Sequence, residues 1–202
     1  MATLLPIDVE TPRTLVLTPP LTDAELESLC LASELFRFER NREGEILMNP
    51  PSGGFTSRGN SKINFELYSW WNAHKRGIVF DSNGGFFLPD GSMLNPDASY
   101  VLQSKLRGLT KDKLTGFPHL CPDFVIELPS PSDSLTKTKE KMERWIENGA
   151  MLGWLIDPYK QKVYVYEPGA KASVVSGKTV RGKGPVEGFV LDLDELWSCY
   201  EI

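Results

Sequence analysis

The sequence has few of the residues on which several common kinds of functional centre depend. It contains two histidines, and its three cysteines, Cys30, Cys121 and Cys199, are far apart and form no close pair. Zinc sites and redox centres need closely spaced ligands, so we expect neither and interpret the cysteines as small apolar residues. Glycine-rich phosphate-binding motifs are also missing, which argues against a nucleotide cofactor.

Long apolar segments and an excess of positive charge are missing as well. No run of about 18 apolar residues occurs, and residues 1–20 lack the basic-then-apolar order of a secretory signal, so we predict a cytoplasmic protein without a membrane partner. The net charge of −5 and the pI of 5.2 argue against a protein that coats nucleic acid by bulk charge. Contact with a phosphate backbone would need a local basic patch or metal ions held by acidic groups.

The length and the apolar pattern favour one α/β domain. With 202 residues, the chain suits a single core at 21–202, preceded by an extended N-terminal arm at 1–20 that contains four prolines. Helical and strand periods alternate along the domain, which indicates a mixed central sheet flanked by helices. We predict helices at 22–35, 60–75 and 133–148, a hairpin at 36–48, an antiparallel meander within 78–102, a central strand at 123–128 and a hairpin at 153–166.

One acidic residue, Glu127, lies inside the apolar central strand. An unpaired charge there would cost several kcal/mol, so Glu127 needs a cation, either a metal ion or a lysine or arginine. The two-residue period of a strand places Glu127 on the same face as Asp123 and Val125, and we expect this face to line a cleft. Asp123 is also interpreted as a strand-start residue on the rim.

Two further features could complete a site around Glu127. Asp97 follows Pro96 and opens a strand that could pair beside the central one, although it could also be a turn residue. Two carboxylates from neighbouring strands could share Mg²⁺, which prefers oxygen ligands. In the next helix, Lys139 and Lys141 flank the predicted buried stripe, and either could reach the carboxylates or extend into solvent.

Several motifs together resemble the bacterial Uma family of predicted endonucleases, which is similar to the PD-(D/E)XK nuclease superfamily. The resemblance covers roughly residues 35–197 and implies a restriction-endonuclease-like fold. The motifs are Pro96-Asp97-Ala98-Ser99, Pro122 to Leu128 followed by Ser130-Pro131-Ser132, Lys141, Gly149, Trp154 to Pro158, and Val163 to Tyr166.

The resemblance also implies roles for individual residues. Asp97, Glu127 and the Leu128 carbonyl would hold Mg²⁺ or Mn²⁺ for hydrolysis of a phosphodiester, with DNA as the expected partner. Pro129 stands where the superfamily has its lysine, and Lys141 is the lysine that matches the Uma pattern instead. Weaker candidates for a further carboxylate are Glu39, Glu45 and Glu66.

Other functions remain compatible with the sequence. A catalytically weak or inactive nuclease-fold module could bind nucleic acid or protein, and Pro129 and the low pI favour that alternative. Five tryptophans could also indicate a protein that interacts through aromatic residues, although core packing accounts for most of them. A homodimer is a further possibility, by analogy with nucleases that cut both strands.

Overall fold

A computed structural model describes residues 13–202, apart from the side chains of Arg13 and Asp112. The first twelve residues of the predicted N-terminal arm therefore lie outside the described part. The arm's next residues, Arg13–Leu15, form strand β1.

Residues 13–202 contain five α-helices and thirteen β-strands, and the strands form three sheets. The helices are α1 (Asp23–Ala32), α2 (Gly54–His74), α3 (Lys111–Thr115), α4 (Leu135–Glu147) and α5 (Leu193–Ser198). The strands after β1 are β2 (Arg37–Arg40), β3 (Ile46–Asn49), β4 (Ile78–Phe80), β5 (Phe86–Phe87), β6 (Met93–Leu94), β7 (Ala98–Val101), β8 (Phe124–Glu127), β9 (Leu152–Asp157), β10 (Lys162–Tyr166), β11 (Ser173–Val175), β12 (Thr179–Arg181) and β13 (Val190–Asp192).

The largest sheet is mixed and has helices on both faces, which confirms the predicted fold class. Its strand order is β11-β10-β9-β8-β7-β4, and β8 pairs parallel to β9 but antiparallel to β7. Phe124 and Ile126 of β8 lie in a core shared with α2 and α5. Val125, on the other face, packs in a second core with Met142 and Trp145 of α4. The central strand is therefore buried on both faces.

The second sheet is smaller and joins the first through the segment before β7. Its order is β1-β3-β2-β6-β5, so the predicted hairpin of β2 and β3 is confirmed, and α1 packs on it through Leu26. The predicted meander is wrong. Strand β4 pairs directly with β7, whereas β5 and β6 join β2, because Met93 pairs with Arg40 across the two hairpins. The chain therefore crosses from one sheet to the other between Leu94 and Ala98.

The sequence predicts the start of a helix correctly where a side chain caps that helix. The capping box of Thr22 and Glu25 is present at the start of α1. Helix α2 begins at Gly54 rather than near Asn60, since Gly53 occupies the cap position without a side-chain hydrogen bond. Asn60 thus lies inside the helix, which frees its amide for a tertiary contact. Among residues 13–202, no helix combines the length and apolarity needed to cross a bilayer.

Candidate active site

Strand β8 brings Glu127 beneath α4, where two side chains one helical turn apart contact it. The side chain of Lys141 places Nζ 2.9 Å from Glu127 Oε1, and the indole of Trp145 donates a 2.8 Å hydrogen bond to the same oxygen. Glu127 is 4% exposed. The expectation that this whole strand face lines a cleft is wrong, because α4 covers Val125, and of Asp123, Val125 and Glu127 only Glu127 lines a cavity.

Lys141 binds oxygens from three separate parts of the chain. Its Nζ lies 2.7 Å from Glu39 Oε1 and donates to Glu127 Oε2 at 3.0 Å and to the Asn95 carbonyl at 2.8 Å. Most of the Lys141 side chain is buried. The ion pair considered for Glu127 therefore exists, and its partner is the lysine that the family resemblance indicates.

Glu39 is central to this cluster, although the sequence indicated it only weakly. It lies on β2 of the smaller sheet and accepts a 2.8 Å hydrogen bond from the Asn95 backbone N–H. The Asn95 side chain donates in turn to the Phe38 carbonyl. Alternation along β2 separates Glu39 from the apolar Phe38, but nothing in the sequence indicates that this strand meets the central one.

Asp97 lies where the backbone pairing of β7 and β8 ends. The last paired residues are Ala98 and Ile126, and beyond them Asp97 Oδ2 accepts a 2.7 Å hydrogen bond from the Leu128 N–H. Its Oδ1 accepts from Asn60 Nδ2 of α2 at 3.1 Å. Glu127 thus reaches towards α4 and Asp97 towards α2, on opposite faces of the sheet but at the same end of strands β7 and β8.

The two carboxylates nevertheless line one cavity of about 610 Å³. Its wall also includes the weaker candidates Glu39 and Glu45, although the Glu45 carboxylate accepts a hydrogen bond from Asn41. The other charged residues of the wall are Arg37, Asp133, Lys137, Glu140, Lys141 and Arg144, and the loop 130–134 adds serine hydroxyls. The cavity therefore combines carboxylates with basic side chains, most of them from α4, and with hydroxyl groups from the loop before that helix.

Burial controls the ionisation of the cluster. Burial, together with the nearby charges of Asp97 and Glu39, raises the pKa of Glu127 to about 8 against the opposing charge of Lys141. Burial also raises the pKa of Asp97, while the Leu128 N–H and Lys141 act in the opposite direction. Burial alone would lower the pKa of Lys141, but Glu127 and Glu39 outweigh it and hold this pKa above its usual value.

Three other candidates lie outside the cluster. Asp123 is at the opposite end of β8, about 13 Å away at strand spacing, where it accepts from the Leu102 N–H and pairs with Lys105. Lys139 places its ammonium 4.2 Å from the Tyr164 ring centroid, and Glu66 pairs with Lys62. The helical period that places Lys141 over the end of β8 turns Lys139 towards β10.

The donor set suits a hard divalent cation better than a soft one. Asp97, Glu127 and Glu39 supply carboxylate oxygens to one cavity, and Asn95 Oδ1 has no hydrogen-bond partner within the described residues. Nowhere in positions 13–202 do three or more histidine, cysteine, aspartate or glutamate side chains form a metal-binding group by themselves. Mg²⁺ is often held by one or two carboxylates with several waters, so the two strand carboxylates fit such an ion.

The contribution of the hydrogen bond from Trp145 to Glu127 to stability can be measured. We expect Trp145→Phe to lower the free energy of unfolding by about 2 kcal/mol, because a buried acceptor loses its donor. Trp154→Phe is the matched control, since Trp154 is fully buried and its indole N–H has no partner within the described residues. Denaturant unfolding measures both, and equal losses would contradict the assigned contribution of the hydrogen bond.

Comparison with known proteins agrees with the family resemblance. A solved structure from Anabaena variabilis, described as a "putative nuclease belonging to DUF820", is 25% identical with a TM-score of 0.74. The alignment covers 89% of this chain and 99% of that one. No curated protein matches the chain. The sequence profile of the Uma2 family, described as "Putative restriction endonuclease", matches residues 23–194, and the chain therefore belongs to this family and has a nuclease-like fold.

Proposed function

We propose that the protein hydrolyses phosphodiester bonds in DNA with the help of Mg²⁺ or Mn²⁺. The observation that carries this proposal is the cavity that Asp97 lines together with Glu127 and Glu39, the two carboxylates that contact the ammonium of Lys141. With all three acids ionised, the negative charges exceed the positive charge of Lys141. A divalent cation would balance this excess, and buried carboxylates without such balance are costly.

The side chains divide into groups that would hold the metal and groups that would meet the substrate. Asp97 and Glu127, with the Leu128 carbonyl, are the proposed ligands. The bound metal would supply an activated water and neutralise charge on the phosphate. Lys141 gives its three N–H donors to Glu39, Glu127 and the Asn95 carbonyl, so it would orient a water or a phosphate oxygen by exchanging one of these partners for it. Lys137 and Arg144 line the same cavity and can pair with neighbouring phosphates.

A second function, binding without catalysis, is favoured by one observation. Both oxygens of Asp97 already accept hydrogen bonds, one from the Leu128 N–H and one from Asn60. An aspartate with the purely structural role of ending the pairing of two strands would accept the same hydrogen bonds. A module of this kind would bind nucleic acid or protein without needing a metal at Asp97 and Glu127.

Metal removal separates the two functions. We expect protein stripped with a chelator to leave single-stranded and double-stranded DNA intact, and added Mg²⁺ or Mn²⁺ to restore cleavage. The metal should also stabilise the fold, by about 2.7 kcal/mol at one hundred times its dissociation constant. Gel analysis of DNA and thermal unfolding measure these effects. Cleavage that persists in excess chelator, or no cleavage and no thermal shift with either metal, would contradict the proposal.

A further inference from the structure

Three aromatic rings from distant parts of the chain meet beside the cavity. Tyr200 follows α5, Phe55 is in the first turn of α2, and Tyr159 is in the turn between β9 and β10. The ring centroids of Phe55 and Tyr200 are 6.2 Å apart and nearly parallel, and those of Tyr159 and Tyr200 are 5.9 Å apart and nearly perpendicular. We call these three residues the aromatic shelf.

Two of the three rings of the shelf are exposed. Phe55 is 44% exposed and Tyr159 is 54% exposed, whereas Tyr200 between them is partly buried. The Tyr200 hydroxyl is buried and has no hydrogen-bond partner among residues 13–202. Exposed aromatic rings beside a polar cavity are a recurring feature of ligand sites, because a flat ring offers a large stacking surface.

The shelf adjoins the proposed active site through neighbouring residues, while its own three rings are not part of the cavity wall. Gly53 and Thr56, which flank the first turn of α2 around Phe55, both line the cavity of Glu127 and Asp97. Gly59 marks the other contact, since a β-carbon there would lie 2.6 Å from Tyr200 Oη and 3.0 Å from Leu128 Cδ2. Tyr200 thus lies close to Leu128, whose N–H holds Asp97.

Basic side chains flank the exposed rings. Arg58, one helical turn after Phe55, is exposed and donates from Nη1 to the Glu201 carbonyl at 3.1 Å. Lys160, next to Tyr159, is exposed, with Nζ 4.0 Å from Asp157 Oδ2. Stacking surfaces next to positive charges are the combination by which proteins hold unpaired nucleic-acid bases and the phosphates between them.

We propose that the aromatic shelf binds an unpaired nucleobase of the DNA strand whose phosphate enters the cavity. This inference rests on the proposed function and narrows its substrate class to DNA with single-stranded character. A base within a duplex cannot present its face to Phe55 or Tyr159 without leaving its stack, and that exchange costs a few kcal/mol.

Binding measured in the presence of a chelator tests the shelf without cleavage. We expect a short labelled single-stranded oligonucleotide to bind the full chain, and Phe55→Ala and Tyr159→Ala each to weaken binding about tenfold. An oligonucleotide of equal length with abasic sites should bind the wild type as weakly as the intact one binds the variants. Matched controls are Phe65→Ala and Tyr68→Ala, which remove rings that are 66% and 55% exposed further along α2 and should leave binding unchanged.

The outcomes distinguish this inference from the proposed function. Wild-type affinity in both shelf variants, equal affinity for the abasic strand, or no binding of single-stranded DNA would each overturn the shelf, even if the protein cleaves duplex DNA. Loss of cleavage in all metal conditions would overturn the proposed hydrolysis and leave the binding result standing. Thermal unfolding of each variant checks that the substitutions leave the fold intact.

Discussion

Lys141→Met is expected to remove DNA cleavage and to destabilise the protein by about 3 kcal/mol. The ammonium is the shared partner of Glu39 and Glu127, and removing one member of a buried ion pair leaves the others without compensation. The methionine side chain has a similar length, so the loss reflects charge rather than a cavity. Cleavage rates and denaturant unfolding measure the two effects.

Two comparisons show whether the charge of Lys141 accounts for this loss. Lys139→Met removes a lysine of the same helix that contacts the Tyr164 ring, and it should keep cleavage within a few-fold of the wild type. Added Mg²⁺ should restore much of the stability of Lys141→Met but not its activity, since a dication can balance the carboxylates without supplying the lysine's donors. Full activity in Lys141→Met would remove this residue from the proposed mechanism.

Asp97→Asn and Glu127→Gln are expected to reduce metal-dependent cleavage by about 10³-fold each. A metal ion contributes several kcal/mol of charge stabilisation, and an amide oxygen is a far weaker ligand than a carboxylate. Glu127→Gln should fold with near-wild-type stability, because burial already disfavours the charged form of this side chain. Titration calorimetry with Mn²⁺ should show loss of binding in both variants.

Two acidic residues serve as controls for this pair. Glu45→Gln changes a carboxylate that lines the same cavity but hydrogen-bonds to Asn41, so cleavage should be retained. Asp123→Asn should lower stability, since its buried carboxylate accepts from the Leu102 N–H, yet it should leave metal binding unchanged. Equal loss of cleavage in Asp123→Asn would indicate that the effects come from the fold rather than from the site.

Much of the secondary structure follows from local patterns. The start of α1, the hairpin of β2 and β3 and the buried central strand are each encoded within a few neighbouring residues, and these predictions are confirmed. The start of α2 was missed because Gly53 caps it without a side-chain signal. The meander was predicted wrongly because the partner of a short strand such as β6 depends on tertiary packing rather than on its own residues.

The site was predictable in part, for a similar reason. A carboxylate within an apolar strand required a cation, and helical spacing limited the lysine to Lys139 or Lys141. The choice between them came from the family resemblance, since both flank the buried stripe. The contribution of Glu39 could not be predicted from spacing, because it depends on how the smaller sheet packs against the larger one. Asn60 was predicted to lie at the start of its helix, and its hydrogen bond to Asp97 was not predicted.

The crossing of the chain between the two sheets has a consequence for how this protein can evolve. Glu39 belongs to one sheet, Glu127 to the other, and Asn95 to the connection between them, and one ammonium holds all three. The Lys141 ammonium, which is proposed to act in catalysis, therefore also links the two sheets of the domain. Substitutions in the hairpin of β2 and β3 that improve its packing will shift the geometry of the carboxylates, so gains in stability there should trade against turnover.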